Sequence, residues 1–258
     1  MIVQDVITHL EALAPLTYAE EFDNVGLLVG DKNSELTGVL VTLDTLEAVV
    51  EEAIENQCNL IVSFHPIIFK GLKKITGKTY VERVLIKAIE HKIAIYAIHT
   101  ALDNAFEGAN AGLCDLLGLK NKAVLIPQAG TIKQLSTYVP EKNADAVRTA
   151  LFESGAGSIG NYDNCSFNSP GTGTFKGNKN SNPVIGEKHI LQKVTETKIT
   201  ISFAKHLEND ILKTLFSSHP YEEVAYEVMT LENKNQHIGM GMIGQLEQPM
   251  DGTSFLDF

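Results

Sequence analysis

Residues 59–74 read NLIVSFHPIIFKGLKK, and the fold turns on how this stretch is taken. Leu60 to Phe64 is a mostly apolar run of strand length, and it ends on His65-Pro66 rather than on the Gly, Asn or Asp of an ordinary turn. Pro66 disfavours the helical conformation for the residue before it, so His65 is held extended where the strand stops. An imidazole on a fixed backbone is what a metal ligand or a proton-transfer group requires.

Outward from this strand the apolar spacing alternates in kind. Upstream, Val3, Val6, Ile7 and Leu10 keep helical spacing, and NVGLLVG and GVLVTLD follow as two strand-like runs. Leu46, Val49, Val50, Ala53 and Ile54 form one face of a helix before the central run. Downstream, Val81, Val84, Leu85 and Ala88 form another, and IAIYAI at residues 93–98 is a fully apolar strand. Strand, helix, strand, helix, strand predicts an α/β unit with a parallel sheet and right-handed crossovers.

Near Pro127 the pattern changes, and PQAG marks a linker. Beyond it come the alternating strand QLSTYVP, a helix over about 144–153, a Gly/Asn/Ser-rich hairpin region over 155–183, the strand TKITISFA, a helix over about 207–216 and the strand EVAYEVMTL. This order predicts a ferredoxin-like α+β domain. The expected organisation is therefore residues 1–128, residues 131–232, and a return linker over 233–258.

The 258 residues carry a formal net charge of −11, which argues against a general grip on a nucleic-acid backbone. Cys58, Cys114 and Cys165 share no CxxC spacing and are odd in number, so no disulfide framework is expected, and none has the sequence context of a nucleophile. The N-terminus shows no signal-peptide pattern, and no apolar run approaches the roughly 18 residues of a membrane span. A cytoplasmic protein without a membrane association is expected.

Three successive strands end on polar residues, namely Asp44, His65 and His99, with Asp103 four residues after His99. Ligands collect outside the carboxyl ends of parallel strands, so these four are expected to converge. Imidazole with carboxylate suits zinc, iron(II) or manganese, and a metal-activated water makes hydrolysis the default chemistry. The alternative is that the histidines only hydrogen-bond at strand ends while Asp103 caps a helix; Asp44 is expected to cap the helix after it. Lys70, Lys73 and Lys74 either meet an anionic substrate or form a solvated face. His219, Glu222 and Glu223 in HPYEEVAYEV either fix a turn, line an interface or, as a lesser option, bind metal, with Pro220 ending the preceding helix. GTGTFKG at 171–177 lacks the ending of a P-loop and reads as a hairpin turn, and GMGMIG at 239–244 lacks the flanking strand and acidic partner of a dinucleotide site.

The motifs FDNVGLLVG, FHPIIFKGLKKI, IYAIHTALDNAFEGAN, HPYEEVAYEV and GMGMIG, in this order, resemble the GTP cyclohydrolase 1 type 2 homologues, also called Nif-three-like proteins. The resemblance is to the long bacterial form, in which a PII-like or CutA-like domain interrupts a Nif-three-like metal domain. It implies a hydrolase that opens the purine ring of GTP by water attack and releases formate. It also implies a site for two divalent metal ions, a ring-shaped homohexamer and a small anionic substrate. On this chain the implied metal ligands are His65 and Asp103, with His99 nearby, and the implied triphosphate contacts are Lys70, Lys73 and Lys74. Phe64 stands where the family carries a further histidine. The family's C-terminal His and Glu have no counterpart here, so an intact parent is expected to hold on the order of a hundred further residues. A second functional class also remains open, a regulatory or scaffold protein whose PII-like domain trimerises and senses a ligand.

Overall fold

Helix α1 (Val3–Leu13) buries Val3 and Ile7 one turn apart, and it begins a first unit formed by Met1–Gln128 and the chain from Gln236 onward. The computed structural model describes residues 1–256. Strands β1 (Gly26–Val29) and β2 (Val39–Thr42), helix α2 (Glu47–Glu55), strand β3 (Leu60–Ser63), helix α3 (Tyr80–Glu90) and strand β4 (Ala94–Ala97) follow. The four strands form one sheet in the order β1-β4-β3-β2. β2, β3 and β4 are parallel, as the strand-helix alternation predicts, whereas β1 runs antiparallel to β4. A helical crossover returns the chain to the same end of the sheet and makes the next strand parallel; no helix separates β1 from β2, so that edge is free to reverse.

β3 and β4 are buried on both faces, which is why their sequences are continuously apolar. Leu60, Val62, Ala94 and Tyr96 pack with Val3 and Ile7 of α1, while Ile61 and Ile95 pack with Val50 of α2 and Val84 and Leu85 of α3. Ahead of α3, the Thr79 side chain accepts the Glu82 N–H at 3.2 Å. The Glu82 carboxylate reaches back to the N–H groups of Thr76, at 2.7 Å, and Lys78, at 3.1 Å. This box anchors the end of the loop carrying Lys70, Lys73 and Lys74, all exposed.

Helices α4 (His99–Asn104) and α5 (Ala109–Leu116) lead to β5 (Lys120–Gln128). The second unit, Ala129–Asn235, contains β6 (Ile132–Pro140), α6 (Ala144–Glu153), β7 (Phe167–Lys176), β8 (Leu191–Ala204), α7 (Glu208–Ser218) and β9 (Tyr226–Leu231). Its sheet is wholly antiparallel in the order β7-β8-β6-β9, the split βαβ arrangement. Leu135, Val139, Ile199, Ile201 and Phe203 of the sheet face Val147, Leu151, Ile211 and Leu215 of the helices. GTGTFKG is not a turn: Gly171 to Lys176 lies inside β7, paired with β8. There the absent side chain at Gly173 leaves the space that the Glu196 carboxylate occupies, so a Cβ would displace that carboxylate.

The segment 233–258, expected as a linker, instead holds β10 (Asn235–Gln245), which pairs with β5, and the short helix α8 (Gly252–Leu256). GMGMIG is thus a strand, and Gly239 lets it lie against β5, since a Cβ there would collide with the Ile126 carbonyl oxygen. Among the described residues no helix is long and apolar enough to cross a membrane.

Two titrations follow from these contacts. The backbone N–H and hydroxyl of Thr76 lead the hydrogen bonds that hold Glu82 at about 2, below its ordinary 4.5. Its stabilisation is complete above 4.5 and lost as pH falls through the lower value. Glu82→Gln is expected to lower the thermal midpoint at neutral pH, with the gap from the parent closing as the acid limit is approached. His219 is buried; its Nδ1 accepts the Tyr221 N–H at 3.1 Å, so Nε2 donates to the Tyr138 carbonyl at 3.1 Å. Burial lowers its pKa from 6.5, against the opposing effects of the Tyr138 bond and Glu196. The unfolded chain therefore takes up the proton first, and stability declines as pH falls below about 6.5. An NMR titration is expected to show His219 neutral as the Nε2–H tautomer at pH 6.5 and titrating only below it.

Candidate metal centre

The sheet register builds the site. Thr42 pairs with Ser63 and Ser63 with Ala97, so two residues further along each strand Asp44, His65 and His99 fall in one row. Backbone hydrogen bonds continue the register past the strand ends. The Phe64 N–H donates to Thr42 O at 3.0 Å, His65 N–H to Leu43 O at 3.0 Å, Ile98 N–H to Ser63 O at 3.1 Å and His99 N–H to Phe64 O at 2.9 Å. Neighbouring strands lie about 4.8 Å apart, and the His65 and His99 rings meet edge-on with centroids 5.3 Å apart. His99 is held at a φ of +24°, a conformation that L residues rarely adopt and that surrounding contacts must enforce.

Each imidazole is oriented by a carboxylate. His65 Nδ1 lies 2.8 Å from Asp44 Oδ1, and His99 Nδ1 lies 2.9 Å from Asp23 Oδ1. With Nδ1–H donated to a carboxylate, both Nε2 atoms are left as acceptors, the arrangement that supports a metal-bound histidine. Asp44 therefore does not cap α2, whose N-cap is Leu46 without a side-chain bond. The row that puts Asp44 opposite His65 engages the carboxylate there instead.

Asp23 is the residue that spacing along the parallel strands did not single out. It lies just ahead of β1, and because β1 is antiparallel to β4, the residues entering β1 arrive where β4 ends. Its side chain is fully buried. Burial raises its pKa, and hydrogen bonds from His99, Thr100 and Asn24 outweigh that and hold it below the ordinary carboxylate value. The only sequence signal was its place in FDNVGLLVG.

Asp103, on α4, lines a cleft of about 280 Å³ with Glu20, Thr100, Asn104, Asn110 and Met240. Burial raises its pKa; His99 and His65 act to lower it and Asp23 to raise it further, so the four groups share one electrostatic environment. Among the described residues, no group of three or more His, Cys, Asp and Glu side chains closes into a metal cage. The structure thus brings His65 and His99 together as a pair, with Asp103 in electrostatic reach. Phe64 packs edge-on to both rings, at 5.2 Å from His65 and 5.4 Å from His99, and continues the buried face of Leu60 and Val62. Lys70, Lys73 and Lys74 do not line the cleft. Both ring nitrogens of His219 are used by the backbone, and Glu222 accepts the Asn182 N–H at 2.6 Å, so that second cluster fixes a turn. Cys58, Cys114 and Cys165 are free thiols.

The chain is similar to a set of related proteins. A family model described as Duf34/NIF3 (NGG1p interacting factor 3) matches residues 1–258. A protein of Halalkalibacterium halodurans named "GTP cyclohydrolase 1 type 2 homolog" is 42% identical over 253 residues, which is 98% of this chain and 68% of that protein. Its namesake in Bacillus subtilis is 40% identical over 256 residues, covering 99% of this chain and 69% of that one. A crystal structure of a Bacillus cereus protein related to NIF3 superposes with a TM-score of 0.82 at 39% identity, over 100% of this chain and 69% of that chain. A Staphylococcus aureus structure gives 0.69 at 31% identity, over 99% of this chain and 66% of that chain. The chain spans about two thirds of the length of these relatives, and across that length it belongs to the Duf34/NIF3 family.

Proposed function

We propose that the protein is a metal-dependent hydrolase in which His65, His99 and Asp103 hold a divalent cation beyond the ends of β3 and β4. The observation that carries this reading is that both Nδ1 atoms are engaged by carboxylates, leaving an Nε2 lone pair on each of two rings whose centroids lie 5.3 Å apart. Imidazole with carboxylate suits zinc, iron(II) or manganese. Such an ion supplies Lewis acidity and a bound water of lowered pKa.

The chain's own residues perform the rest. Asp44 and Asp23 keep each imidazole in the tautomer that presents Nε2, and Thr100, through its N–H to Asp23 at 3.1 Å, keeps Asp23 in place. Asp103 adds a carboxylate from the cleft side. The exposed loop bearing Lys70, Lys73 and Lys74 offers positive charge to an anionic substrate. The name borne by the relatives makes GTP the first substrate to test. Because those relatives are longer than this chain, the reading assigns the remaining ligands of a two-ion site to their additional length. It takes the second unit as the PII/CutA-like insert of the long form.

Metal titration of the full chain tests the site without reference to turnover. Saturable binding of Zn²⁺, Fe²⁺ or Mn²⁺ is expected, with binding lost in His65→Ala. Asp44 is half exposed, so Asp44→Asn should leave the thermal midpoint near that of the parent while weakening metal binding about 10–100-fold. If the unmutated protein binds none of the three ions, the reading is wrong. Formate release from GTP by metal-loaded protein, read against an apo control, tests the substrate separately.

A further inference from the structure

The second unit has a cavity of about 700 Å³ lined by residues that the metal site does not use. Leu135, Ile199, Ile201 and Phe203 point into the helix-covered core, so strand alternation places Tyr138, Glu196 and Lys198 on the opposite face of the sheet. Glu196 lies opposite Gly171 of β7, and the absent side chain at Gly173 makes room for its carboxylate.

Glu196 is only 7% exposed, yet it is half-satisfied. Its Oε1 accepts the Tyr221 hydroxyl at 2.8 Å. Among the described residues no hydrogen bond reaches Oε2, and no lysine, arginine or histidine forms an ion pair with the carboxylate. Lys198 is on the same face but sits over the Tyr138 ring, 5.6 Å from its centroid. Oε2 is open to the cavity, so a partner there can supply charge and N–H donors to it directly. The remaining lining suits the body of such a partner: Phe175 and Tyr221 meet at 5.9 Å, and Val184 contributes an apolar wall. Glu222 and Glu223 add negative charge, so that with Glu196 three carboxylates stand against the two ammonium groups of Lys176 and Lys198 in the lining. Cavities of this size and lining hold drug-sized ligands, with a few polar groups fixing the orientation.

We propose that this cavity binds a small organic cation, an amidinium, guanidinium or primary ammonium on an apolar body, with its N–H donors on Glu196 Oε2. The charged head replaces the missing counter-ion, and the aromatic pair takes the apolar body through stacking and cation–π contact. All the residues involved lie between 129 and 235, so the inference stands or falls independently of the metal centre.

Benzamidine and its neutral analogue benzamide, titrated into the full chain by calorimetry and protein NMR, provide the test. Benzamidine is expected to bind saturably with a Kd of about 1 mM or tighter, and benzamide at least about tenfold more weakly, which is about 1.4 kcal/mol. Glu196→Gln is expected to remove that discrimination, whereas Tyr221→Phe, which frees the second carboxylate oxygen, should retain it. Equal affinity for the two probes, or no benzamidine binding to the unmutated protein, overturns the proposal. So does discrimination that survives in a folded Glu196→Gln. If that variant does not fold, the probe pair on the unmutated protein still decides.

Discussion

The in-step pairing of β2, β3 and β4 is the constraint on which the first unit depends. Thr42, Ser63 and Ala97 lie abreast, and the backbone bonds that run on past them keep the next residues abreast as well. Side chains alternate between faces with a period of two, so a slip of one residue would turn every one of them over. His65 would then take the side on which Phe64 packs with Leu60 and Val62. Burial of both faces of β3 and β4 makes such a slip prohibitive, since apolar packing on either side already specifies the register. Packing in the core thereby sets the spacing of two imidazoles outside it.

Two buried carboxylates show opposite solutions to one problem. Asp23 accepts from His99, Thr100 and Asn24, and these bonds more than offset the effect of burial on its pKa. Its role is complete within the unit, as an orienting group that fixes a tautomer. Glu196 has the Tyr221 hydroxyl and, among the described residues, no ion-pair partner. Tyr221 is kept a donor because burial, and then the carboxylate itself, push its phenol pKa above the ordinary 10. One carboxylate is closed by its surroundings and the other is left with an open oxygen on a cavity.

Much of this was legible beforehand where the signal is local. Continuous apolar runs at Leu60 to Ser63 and Ala94 to Ala97, separated by amphipathic helices, read correctly as parallel strands because such strands bury both faces. His65 and His99 were legible as strand-end residues, and Pro220 as the stop of α7, whose C-cap is His219. What misled was glycine. GTGTFKG suggested a turn, and GMGMIG lay in a segment expected as a linker, whereas both are paired strands in which glycine admits a close neighbour, Glu196 in one and the Ile126 carbonyl in the other. Close approach across strands leaves no mark on periodicity along one of them.

The sequence by itself therefore determined strands β3 and β4, the helices α2 and α3 beside them and the histidines that follow the two strands, because these follow from spacing within short segments. Only the tertiary structure decided which carboxylate serves which imidazole. Asp44 meets His65 through parallel register across 21 positions, and Asp23 meets His99 across 76 because β1 reverses against β4. Strand direction and register are set by how faces bury against helices distant in the chain, and no single segment carries that information.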